Sequence, residues 1–194
     1  MPFTRAQLES FRGASIPDLV GPGLRLLLCG INPGLRAAAT ASHFANPGNR
    51  FYPALAAAGI LPAFTDIAEG MTDAQRAEIV AHGVGITSLV HSATARADEL
   101  TAEQLRAGAD VLAQNVARWK PRVVAIVGVT AYRIAFDRPK AATGKQPETI
   151  SGAELWAVPN PSGLNAHDTV ASLAAAYAGP AMAAGLLPAI GAAE

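Results

Sequence analysis

The sequence predicts an α/β fold, with one domain built on a central, mostly parallel sheet of four to five strands flanked by helices. Short, almost uniformly apolar runs alternate with stretches that begin at helix-capping residues, as is typical of parallel strands joined by helices. Apolar residues make up 51% of the chain, enough to bury a sheet on both faces. A length of 194 residues fits a single domain, which we expect to span 1–194 with a core over about 24–178.

Local signals set the boundaries of the helices. Thr4, Thr72 and Thr101 each precede a glutamine by three residues, which is the spacing of a capping box. Pro53 is tolerated only in the first turn of a helix, so the helix that contains it must begin near 50. From the N-terminus, the predicted helices are 4–11, 50–58, one that opens at 72, 101–119, 130–136 and 168–177, with a trailing helix after 179.

The predicted strands are the apolar runs between these helices. They cover 24–30, 84–90, 123–127 and 155–158. The stretch 35–49 is predicted as a long irregular loop, and loops of that length are often functional.

Charge and cysteine content restrict the class of protein. Fifteen basic and fifteen acidic residues give a formal net charge of zero, which predicts weak non-specific affinity for nucleic acid. Cys29 is the single cysteine, which excludes an intramolecular disulfide and a four-cysteine metal or iron–sulfur site within the chain. It lies in an apolar run and is expected in the core. No apolar stretch reaches about 20 residues, so we expect a soluble, cytoplasmic protein with no membrane partner.

Common catalytic motifs are absent from the sequence. It contains no phosphate-binding loop of the GxxxxGK[ST] type, no HExxH zinc motif and no GxSxG nucleophile elbow. Two Asn-Pro segments, 31–34 (Ile-Asn-Pro-Gly) and 160–164 (Asn-Pro-Ser-Gly-Leu), lie at the ends of predicted strands. Ligands of open α/β sheets bind beyond the carboxyl ends of the strands, and proline holds the preceding residue extended. Each segment taken alone is also compatible with a simple turn.

Several segments in the same order resemble one family. They are 30–35 (GINPGL), 44–51 (FANPGNRF) and 160–164 (NPSGL), with 85–90 (GITSLV) and 127–132 (VGVTAY) between them. Together they are similar to the mismatch-specific uracil-DNA glycosylases, the branch that contains Mug and the thymine-DNA glycosylases. The resemblance extends over 24–177.

The resemblance implies a role for each matched residue in the base pocket. Asn32 would be the catalytic residue that holds a water against the anomeric carbon of a flipped nucleotide. An amide has no pKa near neutrality, so the reaction would be largely dissociative, and main-chain donors around Ile31 would stabilise the departing base. Phe44 would stack on the base, unless it is a core residue. Asn160 would bind the base or its surroundings, and Ala37 would lie near the pyrimidine C5.

A second implied group contacts the DNA around the flipped nucleotide. Leu164 would be the wedge that fills the gap in the base stack, unless it tucks under its own loop. Ser162, Gly163 and Asn165 would provide phosphate contacts. Mug-like relatives often carry an arginine two positions after the wedge, where this chain has Ala166. The next residue, His167, either contacts the DNA or caps the following helix.

The resemblance therefore implies a monofunctional DNA glycosylase of base excision repair. It would remove uracil, with thymine and cyclic cytosine adducts as further candidates, from double-stranded DNA opposite guanine. Ser88 and His91 are either auxiliary water-orienting groups or residues without a role. The enzyme would need no metal or organic cofactor and would act as a monomer on the nucleoid. A lesion- or abasic-site-binding protein with little turnover and a nucleoside hydrolase are the alternatives.

Overall fold

Five strands form one sheet in the computed structural model, which describes residues 3–64, 67–163 and 167–188. Their order across the sheet places the first strand beside the second and third, and an antiparallel strand at one edge. The α/β architecture and the mostly parallel sheet predicted from the sequence are confirmed. The strands are β1 Leu26–Gly30, β2 Val84–Ser88, β3 Val123–Val127, β4 Gly144–Ile150 and β5 Ala153–Val158, in the order β2-β1-β3-β5-β4.

Helices connect the parallel strands and cover both faces of the sheet. The side chains of Thr4, Thr72 and Thr101 each accept a hydrogen bond from the backbone N–H three residues on, and the glutamine there returns one, so all three predicted capping boxes are confirmed. The helices are α1 Arg5–Glu9, α2 Leu35–Ala39, α3 Phe51–Ala57, α4 Asp73–Ala81, α5 Ala102–Trp119, α6 Val129–Ala135 and α7 Val170–Ala183, with 3₁₀ turns at Ile67–Glu69 and Ala97–Glu99.

The core lies on the two faces of the sheet, because successive strand residues point to opposite sides. Leu26 and Leu28 belong to the cluster that includes residues of α3 and α7. Leu27 and Cys29 belong to the cluster on the opposite face, with residues of α5 and α6. Cys29 is fully buried, as expected, and burial raises the pKa of its thiol.

Strand β4 is an element that the sequence did not predict. Its sequence GKQPETI is polar and contains Pro147, which the interior of a sheet excludes. β4 is an edge strand, where a residue without an N–H is tolerated, and its register against β5 shifts between Lys145 and Thr149. The polar pattern therefore reflects the edge position.

Most other element ends lie within two residues of the prediction, and two differences are larger. The stretch 35–49 is not irregular throughout, because it begins with α2, which buries Leu35 and Ala38 against Ile16 and Ala93. The last helix is longer than 168–177 and continues through Pro180 to residue 183, where the buried Ala181 belongs to the core. Tertiary burial thus extends the helix past a residue that would usually end it.

Parallel pairing brings four strand ends to the same edge of the sheet. β1, β2, β3 and β5 are mutually parallel, so Gly30, Ser88, Val127 and Val158 all end there. The loops that follow these strands form the walls of one cavity.

Candidate active site

The main cavity of the described structure has a volume of about 840 Å³ and lies at the carboxyl edge of the sheet. Its walls come from segments that are far apart in sequence, which is the usual arrangement for ligand sites in open α/β sheets. The lining residues lie in 30–34 and Ala37, in 43–46 and Asn49, in Ser88 and 94–98, in 127–131 and Thr143, and in 159–160, Ser162 and 167–168.

Asn32 is held in one orientation by its side-chain nitrogen. Nδ2 donates to the hydroxyl of Thr94 at 2.8 Å, to the carbonyl of Ser92 at 3.1 Å and to the carbonyl of Pro33 at 3.2 Å. Carbonyl oxygens only accept hydrogen bonds, so the NH₂ group and not the oxygen must face Ser92. The amide is planar, and Oδ1 therefore points away from these partners as an acceptor at the cavity wall.

Thr94 is a site residue that sequence reasoning missed. Its hydroxyl donates to the carbonyl of Arg96 at 2.7 Å, so it presents a lone pair to Asn32. The segment that follows β2 is tied to the Asn32 loop by the backbone bond from Thr94 N to Pro33 O at 3.2 Å. None of the motifs identified in the sequence contains Thr94, which lies four residues after the segment 85–90.

Phe44 lies with one ring face against Phe51, with ring centroids 3.7 Å apart and planes 15° from parallel. It is half-buried, packs partly against the core and lines the cavity. Its backbone has a φ of +56°, which a non-glycine residue rarely adopts. A Cβ at Gly30 would lie only 3.0 Å from Phe44 Cζ, so the glycine at the end of β1 makes room for the ring.

The remaining predicted pocket residues also lie at the cavity. Ala37 is buried in α2, Ser88 is buried at the end of β2, and Ile31 is half-buried after β1; all three line the wall. The carbonyl of Ile31 accepts from Val90 N at 2.9 Å, which fixes the peptide that leads into Asn32. Gly128 has a φ of +136° and lies against the Ile31 side chain.

The loop after β5 contributes the opposite wall. Asn160, Ser162 and His167 line the cavity, and the Asn160 carbonyl oxygen Oδ1 accepts from Ser162 N at 3.0 Å. That bond orients the Asn160 side chain within its own loop. Gly163 is exposed, and a Cβ there would lie 3.0 Å from the Gly48 carbonyl oxygen. Leu164, Asn165 and Ala166 lie outside the described residues.

His91 is not brought into the cavity wall. Its Nε2 lies 3.1 Å from the carboxylate of Asp18, which also accepts from the hydroxyl of Thr87 at 2.5 Å. The hydrogen bond to Asp18 raises the pKa of His91, and the bonds from His91 and Thr87 lower the pKa of Asp18 against its partial burial. This contact joins the segment before β1 to the chain just beyond β2, and His91 is not among the residues that line the cavity.

A different histidine, His43, lies at the cavity instead. It is almost fully buried, and burial lowers its pKa to about 4. Its Nε2 is 3.1 Å from the carbonyl of Pro17, so the neutral ring carries its proton on Nε2. The sequence did not identify this residue as part of the site. It also did not identify Asn46, Arg96 and Asp168, which line the same cavity, because no pattern of apolar residues around them indicates a functional role.

The geometry supplies an oriented hydrogen-bond acceptor, an aromatic wall and an open entrance. Within the residues that the structure describes, no group of three or more His, Cys, Asp and Glu side chains is arranged to hold a metal ion. No described helix is long and apolar enough to cross a membrane.

Comparisons with known proteins relate the whole fold to one family. The profile of the family described as the uracil DNA glycosylase superfamily matches residues 17–178. The fold is similar to the solution NMR structure of a candidate uracil DNA glycosylase from Methanosarcina acetivorans, with a TM-score of 0.58 and 15% sequence identity. That match covers 91% of this chain and 98% of the archaeal chain. The family match spans most of the chain and includes every described residue of the cavity wall, and the chain therefore belongs to the uracil DNA glycosylase superfamily.

Proposed function

We propose that this protein is a monofunctional DNA glycosylase of the mismatch-specific uracil/thymine branch, the Mug and thymine-DNA glycosylase group. It flips uracil out of double-stranded DNA, mainly opposite guanine, and hydrolyses the glycosidic bond. The observation that carries the proposal is the fixed amide of Asn32, whose Nδ2 is held by Ser92 and Thr94 while Oδ1 is left at the cavity wall. A protein that only bound lesions would not need an oriented acceptor there.

Asn32 positions a water molecule but does not deprotonate that water before the glycosidic bond breaks. An amide is too weak a base for that at neutral pH, so the bond between the base and C1′ breaks first and leaves a sugar cation. The water held by Asn32 Oδ1 then forms the new C–O bond and loses its proton to solvent. Main-chain N–H groups around Ile31 stabilise the base as it leaves as an anion.

The pocket accommodates a pyrimidine between small and aromatic groups. Phe44 offers the ring face that Phe51 does not cover for stacking, and Ala37 lies near the C5 position. An alanine leaves space for the methyl group of thymine, so thymine and cyclic cytosine adducts are further substrates. Asn160 binds the base or the loop beside it.

The loop after β5 contacts the DNA around the flipped nucleotide. Ser162, Gly163, Asn165 and His167 provide phosphate contacts, and Leu164 fills the gap in the base stack. Ala166 stands where Mug-like relatives often have an arginine. Recognition of the guanine opposite the flipped base is therefore weaker in this protein than in those relatives. Ser88 is a possible second partner for the water, since it lines the cavity and His91 does not.

The chemistry requires no cofactor and has no lyase step. The lysines of the chain are Lys120, Lys140 and Lys145, and none of them lines the described cavity, so no Schiff base forms with the sugar. We further propose that one domain over 1–194 acts as a monomer on the nucleoid, because one flipped base occupies one pocket.

The test is release of uracil from a labelled duplex with a single G·U pair under enzyme excess, followed by alkaline cleavage. Asn32→Ala is expected to lower the rate at least about 100-fold, the scale for loss of one oriented group in an active site. Asn115→Ala is the matched control, since Asn115 lies in α5 outside the cavity wall and accepts from Arg118. G·C, A·U, G·T and single-stranded uracil substrates define the specificity.

Each result separates the proposal from its alternatives. Binding to G·U or to an abasic duplex without base release on any of these substrates would favour a lesion-binding protein. If Asn32→Ala still releases uracil, the protein is a glycosylase but Asn32 does not hold the water. Ser88 would then be the next residue to substitute.

A further inference from the structure

Arg50 lies where two walls of the cavity meet. Its backbone N–H donates to the carbonyl of Pro161 at 3.0 Å. Its guanidinium donates through Nη2 to the carbonyl of Ser162 at 2.6 Å and through Nη1 to the carbonyl of Asp168. One residue therefore holds three carbonyls of the loop between β5 and α7.

The same residue is rigidly connected to the aromatic wall. Arg50 directly precedes α3, whose first residue, Phe51, is fully buried and stacks on Phe44. The two loops touch at Gly48 and Gly163, where a Cβ on Gly163 would lie 3.0 Å from the Gly48 carbonyl oxygen.

The loop that Arg50 holds is also anchored from its other side. The hydroxyl of Tyr177 donates to the carbonyl of Pro159 at 3.0 Å, and Ser162 N donates to Asn160 Oδ1 at 3.0 Å. Asn160 thus lies between a carbonyl anchored by α7 and carbonyls anchored by Arg50. Loss of the two side-chain bonds of Arg50 would weaken one side of this wall and leave the bond from Tyr177 in place.

We infer that Arg50 is a positioning residue that fixes the wall of Asn160 and Ser162 relative to the ring of Phe44, and that it is not a ligand of DNA phosphate. An arginine in a Gly/Pro/Asn-rich loop beside a DNA-binding pocket would ordinarily be assigned to a phosphate. Here its two terminal nitrogens donate to protein carbonyls. The inference rests on the proposed function.

A lysine cannot replace the guanidinium in this position. The planar fork of arginine presents two nitrogens to two acceptors at once, whereas an ammonium is a point charge on a flexible stem. Arg50→Lys therefore keeps the charge and removes the link between Ser162 and Asp168. The contribution of a phosphate contact to the salt dependence of DNA binding comes from the charge, which lysine also supplies.

The experiment compares Arg50→Lys and Arg50→Gln with the wild type in two assays. The first is the single-turnover rate of uracil release from G·U duplex at saturating enzyme, well below the unfolding temperature of every variant. The second is the slope of log binding constant against log salt for a duplex that carries a tetrahydrofuran abasic analogue. Arg25→Lys is the matched control, because Arg25 also donates to two carbonyls, Gly185 at 2.7 Å and His82 at 3.4 Å, outside the cavity wall.

Arg50→Lys is expected to lower the release rate about 10-fold to 100-fold, the scale of a displacement of about 1 Å in an active site, with an unchanged salt slope. Arg50→Gln is expected to lower the rate in the same way, and Arg25→Lys to stay within about twofold of the wild type. A salt slope in Arg50→Gln reduced by about one, with a normal rate at saturation, would identify a phosphate ligand and overturn the inference. The inference would also be overturned if Arg50→Lys lost no more of its release rate than Arg25→Lys does when the two variants lose the same amount of stability. An inactive wild type would instead reject the proposed function itself.

Discussion

The side-chain amide of Asn32 donates to the hydroxyl of Thr94 at 2.8 Å, and that hydroxyl donates onward to the carbonyl of Arg96 at 2.7 Å. Because the Thr94 hydroxyl donates its hydrogen to Arg96, it can only accept a hydrogen bond from Asn32. The NH₂ group of the amide, and not its oxygen, must therefore face Thr94. The chain of two bonds links the loop after β1 to the loop after β2 at the cavity wall.

Thr94→Val, which keeps the shape and removes the hydroxyl, is expected to lower the single-turnover rate of uracil release about 10-fold. The reason is that the amide loses one of its three partly buried hydrogen bonds, worth about 1 to 2 kcal/mol, and is held less firmly by the carbonyls of Ser92 and Pro33 that remain. Thr94→Ser is expected to retain most of the rate. In an Asn32→Ala background Thr94→Val is expected to have no further effect on the rate, and an additive loss there would show that Thr94 acts independently of Asn32.

Gly30→Ala tests the close approach of Phe44 to the end of β1. The new methyl group would lie 3.0 Å from Phe44 Cζ, so the ring must shift by a few tenths of an ångström relative to Phe51. We expect a lower release rate with a loss of stability of about 1 to 3 kcal/mol, the usual range for overpacking. Phe44→Leu serves as the comparison, and a Gly30→Ala rate equal to the wild-type rate would show that the ring position is not required.

The buried His43 predicts a loss of stability in acid. Its folded pKa is about 4, below the ordinary 6.5, so between these values the unfolded chain binds a proton at this position that the folded chain does not. This contribution is therefore fully present above about pH 6.5 and is lost as the pH falls towards 4, by as much as about 3 kcal/mol.

Urea unfolding between pH 4 and 8 measures this effect. His43→Gln is expected to lose less stability than the wild type over that interval. His91→Gln is the control with the opposite sign, since the raised pKa of His91 stabilises the fold at low pH and that contribution is lost as the pH rises. Parallel curves for the wild type and His43→Gln would contradict the prediction.

Gly108 permits α5 to approach the chain beyond β2. A Cβ at this position would lie 2.3 Å from the carbonyl oxygen of Leu89, which is backbone and cannot rotate away. Gly108→Ala is expected to destabilise the fold by about 3 kcal/mol despite the better helix propensity of alanine. Ala107→Ser, at the exposed neighbouring position, is expected to change the midpoint of thermal unfolding little. Equal midpoints for the two variants would show that α5 can shift without penalty.

The sequence predicted the fold class because the signals for it are local. The capping boxes at Thr4, Thr72 and Thr101 need only neighbouring residues, and the uniform runs of β1 and β3 reflect burial on both faces. Strand β4 was missed because Pro147 and its polar neighbours are acceptable only at an edge, and edge position is a property of the whole sheet.

The candidate site divides in the same way. Asn32, Phe44 and Asn160 stand in motifs that could be read along the chain, and the structure places all three at one cavity. The roles of Thr94 and His43 and the carbonyl contacts of Arg50 could not be predicted from the sequence, because each depends on a partner in a distant segment.

Apart from α2 and β4, the sequence by itself determined the order of helices and strands and the strand ends at which function was expected. These follow from periodicity, capping and the fixed backbone of proline, which act within a few residues. Only the tertiary structure decided which way the Asn32 amide faces, that His43 lines the cavity and His91 does not, and what Arg50 holds. Those outcomes depend on hydrogen bonds between residues 26 to 118 positions apart, which exist only once parallel pairing has brought the strand ends together.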